Sequence, residues 1–281
     1  MDWTEILAFA ETTTDRVGQQ LLKDFGQTLG QTPGQMPGQV QATEKSDGSL
    51  VTSSDQWADA ALRAAIAQAF PHHGVLSEEA THIFPETDWC WVIDPIDGTT
   101  NFARGLPLWG ISLGLLYQGT PVFGYVHLPP LKQSFHGFWP GTSALDIPTG
   151  AFLNHQPIAT RAEPPSGNQV FNVCARSTAV LQKPFPCKIR MLGVATYNLL
   201  TVAAGISLGG VEATPKIWDI AAVWAIVQAA GGAWVALEHN PIFPLQVGEN
   251  YGSRSYPTLV ASRAELVPIF QPLVQFLGKP S

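Results

Sequence analysis

An apolar run, Trp89 to Ile93, leads without a break into Asp94 and Asp97 and then into a Gly-Thr-Thr turn. Five apolar residues in a row specify a short buried strand. The two carboxylates at its end repel each other unless something positive lies between them. An unpaired buried carboxylate is costly enough that it pairs, protonates or binds a metal. The fold must therefore bring a cation to the end of this strand. The chain has few of its own: 13% of residues are charged, with 15 Lys and Arg against 22 Asp and Glu.

The length, 281 residues, suits one large domain or two modest ones. A net charge of −7 with no basic block disfavours nucleic acid as a partner. Three cysteines, Cys90, Cys174 and Cys187, show no CxxC spacing and read as free thiols. No apolar stretch reaches the roughly 18 residues of a membrane span. "MDWTEILAFAETTTD" has acidic residues where a signal peptide needs basic ones. The expectation is a cytoplasmic protein with no membrane partner.

Apolar positions at Ile6, Leu7, Ala10, Val17, Leu21 and Leu22 predict an amphipathic helix over 3–25. Gly26, Gly30, Gly34 and Gly38, each followed by Gln, predict a flexible insertion at about 26–42. A second helix follows, capped by Ser53 or Ser54, with Trp57, Ala61, Ala64, Ala65 and Ile66 as its apolar stripe. Residues 111–117 and 122–128 form a hairpin, and 134–139 a third strand. The Pro/Gly-rich stretch 140–168 reads as loop. Helices are expected over 196–206 and from Asp219 to a stop at Gly231 or Gly232, then a strand over 258–262. A closing helix over 263–277 is interrupted by Pro268 and Pro272. Helices layered on sheets follow, an α/β arrangement with no strict βαβ beat.

Four acidic groups are set in apolar sequence: Asp55, Glu78-Glu79, Asp94/Asp97 and Asp219. Basic partners fall mostly outside these segments. Carboxylates and carbonyls suit Mg²⁺, Mn²⁺ or Ca²⁺. His72 and His73 lie near the acids in sequence, but no HxxxH helix does, which disfavours zinc there. Gly98 permits a tight turn after Asp97, and the Thr99 and Thr100 hydroxyls sit on it. Asp-Pro and Asp-Gly are also ordinary turn formers, and a helix-start Asp55 also suits the helix dipole. The pattern by itself permits a Mg²⁺ site and requires none.

Four segments resemble the inositol monophosphatase family of Mg²⁺-dependent, lithium-sensitive phosphatases. "GVLSEEA" is similar to its G-x-x-x-E-E element, and "WVIDPIDGTTNF" matches its D-P-[IL]-D-G-T-x-N-[FY] motif throughout. "IWDIAAVWAIVQAAGG" resembles its W-D-x-A…G-G element, and "KSDGSLVTSSDQ" its K-x-x-x-x-[LV]-V-T-x-x-D segment. The resemblance covers about 45–277. It implies an αβαβα sugar-phosphatase sandwich, a single catalytic domain over 1–281, and a phosphoric monoester hydrolase acting on myo-inositol monophosphate.

Carried onto this chain, the resemblance makes Glu78, Asp94, Asp97, Asp219 and the Ile96 carbonyl metal ligands. Glu79 supports a third, weaker ion. Two to three Mg²⁺ are implied, with Mn²⁺ as a substitute. Glu78 and Thr99 position a metal-activated water, and Asp55 orients Thr99. The Gly98 and Thr99 amides hold phosphate. Gly193, Ala195 and Glu212 meet the substrate's hydroxyls. "NVCARS" departs from the family's serine-rich run, leaving the parts of Cys174 and Ser177 open. A homodimer is implied. Fructose 1,6-bisphosphatase, histidinol-phosphatase and 3′-phosphoadenosine phosphatase are alternatives within the superfamily, "GTTNF" favouring the monophosphatase branch over the last. A non-catalytic regulator that binds RNA machinery is the alternative outside it, and its mark would be a lost ligand.

Overall fold

A computed structural model describes residues 1–28, 42–45, 48, 50–181, 184–238 and 241–274. The first helix, α1 (Trp3–Thr28), precedes a small hairpin, β1 (Ala42–Glu44) and β2 (Leu50–Thr52), and then α2 (Ser53–Ala69). Next come β3 (Gly74–Ser77), β4 (Trp89–Asp97), the short α3 (Thr99–Arg104), β5 (Gly110–Tyr117) and β6 (Thr120–Leu128). They are followed by β7 (Gln133–Phe138), β8 (Gly150–Leu153) and β9 (Gln156–Ile158). The second half holds β10 (Val170–Val173), β11 (Lys188–Arg190), α4 (Ala195–Ala203), β12 (Gly209–Glu212) and α5 (Ile217–Ala229). It ends with β13 (Ala233–Ala236), β14 (Thr258–Ala261) and α6 (Val267–Phe270).

Strands β3 to β9 form a seven-stranded sheet in sequence order, antiparallel except for the β3–β4 pair. A second sheet of five strands has the order β11-β10-β12-β14-β13. The β4 run is apolar throughout because both its faces are covered. Trp91 and Ile93 pack with Ile6, Val17, Leu21 and Leu62 of α1 and α2. Cys90 and Val92 face the opposite way, into a core with α4, α5 and Val260. Beyond the second sheet, Phe171, Val211 and Leu259 bury Leu266 and Phe270 of the closing segment. The result is helix, sheet, helix, sheet, helix, the expected layering.

The seat of α5 is set by three glycines in register on adjacent strands, Gly114, Gly124 and Gly137. A Cβ on Gly124 would stand 2.0 Å from the Ala222 carbonyl oxygen, and one on Gly114 2.9 Å from the Ala222 amide. One on Gly137 would stand 2.8 Å from the Ile226 Cα. The lane lets the helix backbone lie on the sheet, and α5 carries Asp219.

Several expectations shift. The α1 helix runs past Gly26 to Thr28, its last turns anchored by Phe25 against Phe102 and Trp109. Leu22 is exposed while Ile6, Ala10, Val17 and Leu21 are buried. The insertion's other end belongs to β1, and 29–41 lie outside the described residues. Thr52, not Ser53 or Ser54, caps α2. The buried face of α2 includes Asp55, Ala58, Asp59, Leu62 and Ile66; of the expected stripe Ile66 is buried and Ala61 packs against the core, while Trp57 is 44% exposed. The alanines read as apolar there are too small to mark the face. The supposed loop 140–168 contains the β8–β9 hairpin, turned on Asn154 and His155, both with positive φ. The closing helix breaks at its prolines into α6 flanked by 3₁₀ turns.

Candidate metal and phosphate site

The β4 ladder is regular to Asp94 and then slips, so that Asp94 pairs with Ser112 and Asp97 with Gly110. This bulge turns Asp94 and Asp97 toward the same region. Gly98 then takes φ +90, and Thr99 opens α3. Asp219 arrives in the first turn of α5, its Oδ2 accepting from the Lys216 amide at 2.6 Å. One carboxylate oxygen from each of Asp94, Asp97 and Asp219 lies within 4.8 Å of the other two. Glu78 stands just past β3, its amide bonded to the Ile93 carbonyl beside them.

Burial and mutual repulsion raise these acids. Asp94 is held well above the ordinary carboxylate range by desolvation, then by Glu78, Asp97 and Asp219. Asp219 is pushed up to about 8 by burial, then by Asp97 and Glu78. Glu78 is pushed up to about 7 by burial, with Lys45 opposing. Asp97 is raised by burial, though the Ala195 amide (3.1 Å), the Thr196 amide (2.7 Å) and the Thr196 hydroxyl (2.6 Å) all donate to it. Asp97 thereby also caps α4, whose own preceding residue Val194 has no capping oxygen. The donor set is all oxygen and deficient in positive charge, which suits a hard divalent cation. Asp94, Asp97 and Asp219 could hold one, and Glu78 and Ile96 line the same cavity.

Asp55 is the third residue of α2, and its Oδ2 accepts from the Thr52 amide at 2.8 Å and from the Thr52 hydroxyl. Its Oδ1 faces the Thr99 hydroxyl at 3.0 Å, and that hydroxyl is also 3.0 Å from the Ile96 carbonyl. Burial lifts Asp55 to about 6 against those hydrogen bonds. The Asp55–Thr99 contact anticipated from the sequence is present.

One basic partner is nearer than the sequence suggests. Lys45 Nζ lies 2.8 Å from Glu78 Oε1 and 2.5 Å from Glu79 Oε1. Burial alone would lower the lysine, but the two glutamates outweigh it and hold its charge. His82 is also closer than expected: its Nε2 is 2.8 Å from the Glu78 carbonyl oxygen, and its ring stacks on Trp218. Neither His72 nor His73 lines the cavity. Together Lys45, Glu78, Asp94, Asp97, Thr99 and Asp219 border a cavity of about 600 Å³ with Arg176 and Lys216.

A smaller neighbouring hollow of about 250 Å³ is bordered by Gly193, Ala195, Cys174, Arg176 and Glu212. Asn198 Nδ2 donates to Glu212 at 2.7 Å, and burial holds Glu212 well above the usual range. The Ala195 amide is engaged by Asp97, as is the Gly98 amide. Cys174 Sγ sits 2.9 Å from Ser177 Oγ, and all three cysteines are free. Sequence reasoning misses Thr196, Asn198 and Asn101. Asn101 Nδ2 reaches the Leu108 and Leu192 carbonyls at 2.9 Å and ties the Gly193 loop to α3. Its place inside "GTTNF" is the available signal.

A layered fold with an acid-lined cavity at the end of a central strand is the architecture of a class of phosphatases. Residues 2–267 match the model of the inositol monophosphatase family, and the chain belongs to that family. It is 34% identical over 207 residues to an inositol-1-monophosphatase of Synechocystis, covering 69% of each chain. It is 33% identical over 205 residues to a fructose-1,6-bisphosphatase/inositol-1-monophosphatase of Thermotoga maritima, covering 69% of this chain and 74% of that one. The solved IMPase of Thermotoga maritima superposes with a TM-score of 0.76 at 26% identity, over 98% of this chain and all of the other.

Proposed function

We infer that the chain, as one catalytic unit, hydrolyses a small phosphate monoester, myo-inositol monophosphate foremost, using Mg²⁺ at the Asp94–Asp97–Asp219 cluster. The observation that carries this reading is the cluster itself: three converging carboxylates, two of them buried, of which Asp94 and Asp219 each have a single backbone donor. Glu78 and the Ile96 carbonyl complete the ligand set. Glu79, beside Glu78 at the cavity's edge, supports a further, weaker ion, giving two to three in all, with Mn²⁺ able to substitute. When bound, such ions supply neutralising charge for the phosphate dianion and a water of lowered pKa.

The protein's own part is positioning. Asp55 holds the Thr99 hydroxyl, and Thr99 with Glu78 orients the attacking water. At the Gly98–Thr99 turn the Gly98 amide is held by Asp97 until an ion takes that carboxylate, and the Thr99 amide is offered to phosphate oxygens. Gly193, Ala195 and Glu212 meet the leaving group's hydroxyls from the smaller hollow. Family membership supports lithium sensitivity, a homodimer and a cytoplasmic setting as parts of the same reading. No described helix is long and apolar enough to cross a membrane.

A second substrate class has its own support. Lys45, Arg176 and Lys216 give the cavity three cations, and Arg176 borders both hollows. A second phosphate, as in fructose 1,6-bisphosphate, would find charge there. Phosphate release from a panel tests both readings: inositol 1-phosphate, fructose 1,6-bisphosphate, histidinol phosphate, 3′-phosphoadenosine 5′-phosphate and glycerol 2-phosphate, each with and without Mg²⁺ and Li⁺. Release that requires Mg²⁺ and falls with Li⁺ supports hydrolysis and ranks the substrates. Mg²⁺ binding with no release from any of them would favour a non-catalytic regulator.

A further inference from the structure

A second group of metal-ligating side chains lies outside the acidic cavity. Glu11 of α1, His136 of β7 and His155 of the β8–β9 turn each bring one ligating atom within 4.8 Å of the other two. They are far apart in sequence, and no motif joins them. Sequence reasoning sets zinc aside because histidine is scarce beside the acids of the strand end. The fold assembles a histidine-rich set elsewhere.

His136 is 3% exposed, and its Nδ1 is buried with no hydrogen-bond partner. Its ring is held by aromatic neighbours, stacked on Phe152 at 4.7 Å and edge-on to Phe138 at 6.0 Å. Burial, with His155 nearby, lowers it to about 4, so the imidazole is neutral at physiological pH and keeps a lone pair to give. Glu11 Oε1 is likewise buried without a hydrogen-bond donor. That oxygen lies 3.4 Å from His155 Nε2. Two donors that each stand about 2.0–2.1 Å from a tetrahedral zinc are separated by about 3.3 Å, so this edge already has the spacing of a coordination shell. His155, on its exposed turn, is free to adjust by rotamer and bring the third donor in.

The geometry points to a transition-metal site at Glu11, His136 and His155, selective for Zn²⁺ or a similar imidazole-seeking ion over Mg²⁺. Two imidazoles and one carboxylate form a donor set that such ions favour and that Mg²⁺ binds poorly. A bound ion ties the outer helix layer to β7 and to the β8–β9 turn, adding to the Glu11–His155 contact and the side-chain packing there. Its role is to clamp these layers, apart from any chemistry in the acidic cavity.

The test uses the full chain, stripped with chelator and then held in excess Mg²⁺ so that the acidic cavity is occupied. Zn²⁺ alone is titrated in, and bound zinc is counted by elemental analysis. Co²⁺ is added in parallel, and its visible spectrum reports nitrogen ligation. One zinc per chain is expected, with a raised melting temperature. His155→Ala, an exposed change that leaves the fold and the hydrolytic rate intact, should lose affinity by more than the roughly 10–100-fold that an outer-shell partner is worth. Glu11→Gln should do the same. Asp94→Asn should keep the zinc. Failure of wild type to bind zinc under Mg²⁺ overturns the site, leaving Glu11–His155 a surface ion pair. So does zinc binding that survives His155→Ala unchanged or disappears in Asp94→Asn.

Discussion

Two aspartate environments in this chain have opposite outcomes. Asp59, in the middle of α2, has Arg63 Nε at 2.7 Å on one oxygen and the Ser77 hydroxyl on the other. The protein satisfies it completely. Asp94 and Asp219 each take one backbone amide, from Ile96 at 3.1 Å and Lys216 at 2.6 Å, and otherwise face each other closely enough to share a proton. Depth does not separate the two cases, since Asp59 and Asp94 are both buried. What separates Asp59 from Asp94 and Asp219 is whether the protein supplies donors for both oxygens; Asp97, the third member of the cluster, takes donors on both and still faces the other two. Where it leaves lone pairs converging, a cation is the missing partner.

Asparagine at either place breaks the comparison most directly. Asp94→Asn should lower phosphate release by about 10³-fold, since metal charge stabilisation is worth several kcal/mol and each 1.36 kcal/mol is tenfold. The same variant should melt higher than wild type when both are free of metal at neutral pH, because asparagine is buried among the other acids without first having to take up a proton. A kinetic assay beside calorimetry in chelator reads both. If activity fell and metal-free stability fell with it, Asp94 would be a structural acid like Asp59.

The pH dependence sharpens the same point. Asp219 at about 8 and Glu78 at about 7 lie above their unfolded values. Between pH about 4 and about 8 the folded, metal-free chain binds more protons than the unfolded one, so stability falls as pH rises. The expected fall from pH about 5 to pH about 8 is at least about 2 kcal/mol. Each tenfold gain in proton affinity on folding is worth about 1.36 kcal/mol, and the two acids share part of that gain. Saturating Mg²⁺ should flatten the slope. Urea unfolding at both pH values, with and without the ion, is the check, and a slope that ignores Mg²⁺ would place the proton uptake elsewhere.

Asp59→Asn should behave in reverse. It loses the Arg63 ion pair and disturbs Ser77, for about 1–3 kcal/mol of stability. Turnover at saturating Mg²⁺ should stay within about threefold of wild type. A larger kinetic loss would show that β3, through Ser77, transmits strain to Glu78 next to it.

How much of this is legible in the sequence depends on length and side-chain size. The β4 strand and the β5–β6 hairpin are readable because their apolar runs are long and the Gln118-Gly119 turn takes positive φ at both residues. The α2 face is misplaced because its alanines blur the period. Strands β8 and β9 escape notice because short, half-exposed strands at the margin of a sheet have little pattern. At the site, Glu78, Asp94, Asp97, Thr99 and Asp219 border one cavity, and Asp55 reaches it through Thr99. The Lys45–Glu78 pair and the Thr196–Asp97 bonds are not foreseen, although the segment of Lys45 resembles a family element, because the partners lie 33 and 99 residues away. Nothing local marks such a contact.

The smallest effect tests the link between the two aspartate regions, since α2 carries both Asp55 and Asp59. Thr52 caps α2 and also donates to Asp55 through its amide and its hydroxyl. Thr52→Ala removes the cap oxygen and one of the two donors, at about 1 kcal/mol of stability. The remaining amide still holds Asp55 Oδ2, so the carboxylate loosens without leaving. Thr99 then loses part of its orientation, and kcat should fall by less than about tenfold with KM unchanged, because general-base positioning as a whole is worth roughly 10²–10⁴. Ser54→Ala is the control: its hydroxyl bonds Asp24 at 2.9 Å and touches neither Asp55 nor Thr99. Equal kinetic losses in the two variants would mean that α2 acts through its stability alone. A loss confined to Thr52→Ala would trace the water-orienting hydroxyl back through Asp55 to the first turn of the helix.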